Sequence, residues 1–485
     1  MRNKLQKFSD FANSLLPHET AYLLAIQKFQ DNERLDILER IDKNCQHIHQ
    51  PITFDESIDK RKYSHLKTWI EERLQEIDVD AQYNRLVHWH QHLMTDTISP
   101  EEEKALLKTI RDYSLDASFN STTTGRGSMD FYFSQFYELV KDFRQYLIIR
   151  MRYTEHQTAD NFVKTYQIKY NYCHTVADIM YDATRDIVNQ YAQKAATESL
   201  VWEEWLTERF YDENLDGLNR YYALVRLTFI YNNYRQFEKL QDKYDYIDAL
   251  FKKGFYYSRR LLVNYYSNCL LLHTRFKDFD KAEYYGYLSI RVKNSDYLHY
   301  VNNLCAILLR GVKNEAALKL MRQAHPEMKH TQSFHNKVGF IAFYGKALNA
   351  NSLWRNTENY SESFLRVYKA EVFEQRWHIF FTTYLESLLG QKKYVKLLQI
   401  VKRFKLLDKE KQYRKNPSVL PTILLYNALC DYKDEKITFN DFKKIITSEK
   451  IFFNENVDRS HQFGDIIKNM VSHLNDMEKG RLIKY

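Results

Sequence analysis

The residues best equipped for chemistry in this 485-residue chain are histidines near its start. His47 and His49 follow Cys45, and a denser run, His88-Trp89-His90-Gln91-His92, comes later. His88 and His92 are four apart, so a helix puts both on one face, where two imidazoles can share a metal ion. Cys45 or His49 would complete a tetrahedral set if the two segments meet. No HExxH motif accompanies them, and no acid is spaced to serve as a general base. A metal-dependent enzyme centred on this cluster is therefore an alternative reading, and the expectation is no bound metal and no cofactor.

Other catalytic signatures are missing. Gly125-Arg126-Gly127 is a GxG without the third glycine or the preceding strand that a phosphate-binding turn needs. There is no Walker A motif, nucleophile elbow or Cys–His arrangement. The carboxylates Glu203, Glu204, Glu208, Asp212, Glu213 and Asp216 read as helix-face charges. The chain is expected not to be an enzyme.

The formal charge of +8 is concentrated between Gln391 and Asn416. That segment carries Lys392, Lys393, Lys396, Lys402, Arg403, Lys405, Lys409, Lys411, Arg414 and Lys415 against only Asp408 and Glu410. Nucleic-acid phosphates, an acidic protein or an anionic membrane surface could meet such a patch. Nucleic-acid binding through residues 391–416 is thus a second alternative. Val395, Leu398, Val401 and Phe404 recur at helical intervals and are expected to face the core, leaving the lysines in solvent.

The elements that position these groups follow from composition. Only 11 glycines and 6 prolines occur, too few for the turns of a β-sandwich, barrel or propeller, whereas both residues weaken helix interiors. An all-α protein follows. Its 38 Tyr and 30 Phe suit helix packing, with rings inward and hydroxyls at the surface. Five scattered cysteines without a CxxC read as buried reduced thiols, which points to the cytoplasm. The first residues lack the apolar core and cleavage site of a signal peptide, and no run of 18 apolar residues predicts a membrane span. Oligomeric state is not legible.

Along the chain, residues 1–118 read as an N-terminal module of about six helices. Pro17 opens one, and Ser99-Pro100-Glu101-Glu102-Glu103 opens another with a cap, a first-turn proline and dipole-matched carboxylates. Residues 120–128 have a linker's composition. Long helices fill 128–215. From 216 to 485 shorter helices alternate with polar turns, each second helix opening on an aromatic residue, or more weakly on Asn314, with a small or apolar one three later. The instances are Phe237/Leu240, Phe279/Ala282, Asn314/Ala317, Tyr360/Ser363 and Tyr394/Leu397, spaced 42, 35, 46 and 34 apart, with a degenerate sixth near Phe439.

The unit from Leu261 to Gly286, with Phe279-Asp-Lys-Ala282 opening its second helix, resembles a tetratricopeptide repeat. Ala282 matches that family's small contact residue and Tyr266 its large first-helix residue. Leu270 and Asn294 stand where the family has glycine and proline. The resemblance extends loosely over residues 218–450. It implies a helix-pair repeat stack, an α-solenoid, whose concave face is lined by first helices and holds an extended peptide. In that frame Asn268, Asn303 and Asn349 share one inward position and would bond a peptide backbone. Arg275, Arg310 and Arg355 follow near the end of the same face, with Arg226 in the preceding unit, and would hold acidic groups. The expected function is a non-catalytic scaffold or adaptor for a peptide or protein partner.

Overall fold

The structure is a computed structural model that describes residues 5–48, 50–116, 124–191, 198–413, 419–454, 457–476 and 478–479. The described residues are all-helical, with 25 α-helices, two short 3-10 turns and no strand. No helix among them is long and apolar enough to cross a membrane. The chain divides into two compact units, Met1–Val292 and Lys293–Tyr485.

In the first unit six helices fill residues 5–116: Gln6–Asn13, Pro17–Ile26, Asn32–Gln46, Lys60–Ile77, Val79–Met94 and Pro100–Asp116. Thr124–Phe131, Phe133–Ile149, the 39-residue Tyr153–Tyr191 and Glu203–Tyr211 follow. Residues 117–123 lie outside the described ones, so half of the expected linker does too. Its second half, with Gly125 and Gly127, belongs to the Thr124–Phe131 helix. The GxG therefore lies in the first turn of a helix, with no strand before it among the described residues.

The Pro17–Ile26 helix is anchored far along the chain. Glu19 is fully buried; it accepts hydrogen bonds from the Leu16 N–H at 2.8 Å and the Tyr257 hydroxyl at 2.6 Å, and pairs with Arg259 at 2.7 Å. Removing Arg259 would leave a buried carboxylate uncompensated, a loss of about 3–5 kcal/mol. His18 bridges the Tyr266 hydroxyl at 2.7 Å and Asp248 at 2.8 Å.

Six helix pairs follow residue 216. Their first helices are Gly217–Tyr234, Arg259–Arg275, Tyr297–Arg310, Phe334–Ala350, Trp377–Gly390 and Thr422–Lys433. Their second helices are Phe237–Lys252, Phe279–Ser289, Asn314–Ala324, Trp354–Val367, Tyr394–Arg403 and Phe439–Asn454. One turn geometry joins all six. A residue with φ between 57° and 62° ends each first helix: Arg235, Lys277, Val312, Ser352, Lys392 and Glu435. The next N–H then reaches back five residues, as in Lys313 to the Leu308 carbonyl at 2.8 Å and Lys393 to Leu388 at 2.9 Å. This is the Schellman C-cap, which glycine usually occupies and which here has no glycine at any of the six positions.

The fourth pair corrects the sequence reading. Its second helix opens at Trp354, not Tyr360, so the residue three later is Thr357. Leu240, Ala282, Ala317, Thr357, Leu397 and Phe442 are then the equivalent residues, none more than 2 % exposed. Thr357 can be that contact because its hydroxyl donates to the Gly345 carbonyl at 3.1 Å, leaving the methyl to pack. In the second unit, each first helix packs beside the next first helix.

Candidate functional site

The asparagine and arginine candidates do not form one set. Asn268 and Asn303 both lie nine residues before the left-handed residue of their turns and are half-buried. Asn349 lies three before Ser352, and Phe343 takes the position equivalent to Asn303. The six-residue error in the fourth pair caused this displacement. Asn349 is 2 % exposed and donates to the Thr383 carbonyl and to Glu386 Oε2, both at 3.1 Å. It fastens one first helix to the next. Asn302 makes the same kind of link, donating to the Asn336 carbonyl at 3.5 Å.

Asn268 donates to Asn264 Oδ1 at 3.1 Å. Arg275 and Arg310 are exposed and each ends its first helix, with Arg275 lying over the Phe237 ring. Arg355 belongs to the second helix of its pair, because the first ends at Ala350. Arg226 is turned toward the Tyr153–Tyr191 helix, where its Nε donates to Thr184 Oγ1 at 2.9 Å.

Asn303 sits beside a histidine of its own helix. Its Nδ2 lies 3.2 Å from His299 Nε2. On the neighbouring first helices are His335 and, at the N-cap of Trp377–Gly390, Arg376, whose Nε donates to His335 Nε2 at 2.8 Å. Nε2 is therefore the acceptor, and the ring proton belongs on Nδ1. Partial burial, then Arg376, then His299 hold the His335 imidazole down at about 4. Burial and Arg376 also lower His299, with Asp296 acting the other way. Gly339 makes room: a Cβ there would stand 2.7 Å from Arg376 Nη1 and 3.1 Å from Asn302 Nδ2. Two neutral imidazoles beside a guanidinium and a carboxamide form a surface suited to an anion. The sequence reading missed His335 and Arg376 because they lie at helix starts, outside the inward position it compared.

The histidine run of the first unit folds differently from expectation. His88 and His92 do share a helix face, with ring centroids 4.0 Å apart. Cys45 is not with them; it is 1 % exposed and its thiol donates to the Leu15 carbonyl at 3.2 Å. His49 lies outside the described residues. The third group is Glu102, whose Oε1 is 2.9 Å from His88 Nε2 and 3.0 Å from His92 Nδ1. Its Oε2 accepts the Ser99 N–H at 2.7 Å while Ser99 Oγ accepts the Glu102 N–H at 3.3 Å. This is the reciprocal capping box. The Ser99 amide first, with help from His92, holds the carboxyl down at about 2. His90 faces elsewhere and meets Asp142 at 2.9 Å.

The basic segment is partly neutralised within the fold. Lys393 and Lys396 converge on Glu358, which is 3 % exposed, at 2.6 and 2.5 Å, and Lys396 also meets Glu362 at 2.8 Å. Arg403 lies over the Phe404 ring. Lys392 occupies the left-handed turn position, and Lys402 and Lys405 are exposed, one near the end of the helix and one just past it. Arg414, Lys415 and Asn416 lie outside the described residues. Val395 is 56 % exposed, contrary to expectation, because Leu397 and Val401 define the core face and Val395 falls opposite Leu397.

All five cysteines are free and buried, and burial pushes Cys45, Cys173, Cys305 and Cys430 up to about 12. No family model matches this chain, and no curated protein or solved structure matches it either.

Proposed function

We propose that this protein is a non-catalytic helical-repeat scaffold of tetratricopeptide type, which holds an extended acidic segment of a protein partner on the first-helix face of its second unit. The observation that carries this reading is two contacts on three consecutive first helices, His299–Asn303 and His335–Arg376, which lie near enough for Arg376 to act on His299 and His299 on His335. Arg376 would grip a carboxylate in a two-pronged hydrogen bond. Asn303 can both donate to and accept from the partner's backbone. His299 and His335 would take up protons as the anion arrives, since an adjacent negative charge favours the charged imidazole. Buried reduced thiols fit a cytoplasmic setting.

Fluorescence anisotropy on the full chain tests this, using labelled peptides of equal length, one rich in aspartate and glutamate and one neutral, and a single-stranded RNA. Saturable binding of the acidic peptide, at least tenfold tighter than the neutral one, is expected. RNA binding that matches the acidic peptide, falls steeply with salt and vanishes in Lys402→Glu/Arg403→Glu would replace this reading with the nucleic-acid one.

A further inference from the structure

We propose that His88, His92 and Glu102 form a binding site for a divalent transition-metal ion of the zinc–nickel–copper class. The site is separate from the acidic-peptide surface, whose residues all belong to the second unit.

The three groups come from two helices joined by one tight turn. His88 and His92 occupy the last two turns of Val79–Met94, and Glu102 the first turn of Pro100–Asp116. Between them Asp96 adopts φ 56°, and the Thr97 N–H returns to the His92 carbonyl at 2.8 Å. This turn fixes the two helices so that one carboxylate oxygen faces both imidazoles. One ligand atom from each residue lies within 4.8 Å of the other two. A tetrahedral ion bonded at about 2.1 Å needs ligand atoms about 3.4 Å apart. The two nitrogen–oxygen separations, 2.9 and 3.0 Å, would therefore open by about half an ångström.

The donor set selects the ion. Two imidazole nitrogens and one carboxylate oxygen suit borderline cations and leave calcium and magnesium, which take oxygen ligands, poorly served. Glu102 is held for the task. Its second oxygen is fixed by the Ser99 amide, the kind of outer hydrogen bond that orients a ligating carboxylate. His88 is 55 % exposed, so an ion could enter from solvent and retain water in its remaining position. His90 sits between the two ligands in sequence but on another face, which supplies an internal control. The buried thiols do not compete in the folded chain.

The test uses the untagged full chain, stripped of metal and titrated with Zn(II) against a chromophoric chelator, with Co(II) absorption as a second signal. One ion per chain is expected. His88→Ala/His92→Ala should weaken binding at least tenfold, and His90→Ala should leave it unchanged. Glu102→Gln keeps a side chain that can complete the capping box, so it should fold while losing about tenfold in affinity. Absence of stoichiometric binding by the parent chain, or full retention in the folded double-histidine variant, overturns the proposal.

Discussion

The molecule contains two pairs of histidines on neighbouring helical turns or helices, and their third neighbours carry opposite charge. At His88 and His92 the neighbour is Glu102; at His299 and His335 it is Arg376. The carboxylate makes the first pair a cation-binding corner. Burial first and then the guanidinium hold the second pair's imidazoles down, and in the proposed function that pair meets an anion. Imidazole alone specifies neither role, and a single charged group beside it decides which species is attracted.

Changing that group is the strongest way to break the contrast. Arg376→Glu should weaken acidic-peptide binding by about tenfold to a hundredfold, the worth of a charged hydrogen bond. It should also raise the His335 pKa from about 4 toward or above the ordinary histidine value, readable by NMR titration. An unmoved His335 titration would mean that Arg376 does not set this environment. A smaller change, Gly339→Ala, puts a methyl group where the Arg376 guanidinium now lies. A loss of about 1–3 kcal/mol is expected in urea unfolding, with weaker peptide binding and unchanged zinc affinity.

Acidification distinguishes the unliganded from the liganded anion site. A histidine with a lowered folded pKa binds fewer protons folded than unfolded. Its stabilising contribution is present above the unfolded value of about 6.5 and is lost as pH falls through about 4. The free chain should therefore have a lower urea midpoint at pH 5 than at pH 7. Peptide affinity should move the opposite way and rise at pH 5, provided the peptide's own carboxylates remain ionised. An affinity independent of pH would exclude proton uptake by His299 and His335.

The smallest effect concerns the turns that support the two sites. Val312 and Asp96 both adopt left-handed φ, but a β-branched side chain tolerates it far less than aspartate does. Val312→Gly should gain about 1 kcal/mol, or about 2–4 °C in the thermal midpoint of its unit. Asp96→Gly should gain less, and it also loses the ion pair with Arg150.

Sequence alone reached the all-helical fold and five of six second-helix starts, because those signals are local. Phe237, Phe279, Asn314, Tyr394 and Phe439 each open their helices. Trp354 escaped because its partner three residues on is Thr357, which does not look apolar, whereas Tyr360 and Ser363 imitate the pattern within the helix. That slip carried Asn349 into the wrong set. The sites themselves were only half legible. His88 and His92 are visible from a four-residue spacing, but Glu102 joins them only through the path of the intervening turn. Asn303 was found by periodicity, while His335 and Arg376 come near its neighbour His299 across helix–helix contacts that no spacing encodes. Likewise the positive charge of Lys393 and Lys396 was plain, and the buried Glu358 that meets it was not.

The five buried thiols have a practical consequence. A thiol reagent in native conditions can reach them only when the surrounding helices open, so each labelling rate is a clock for local opening. Cys45, Cys173 and Cys269 time the first unit, and Cys305 and Cys430 the second. The natural chain thus carries its own reporters: zinc should slow those of the first unit, and an acidic peptide those of the second.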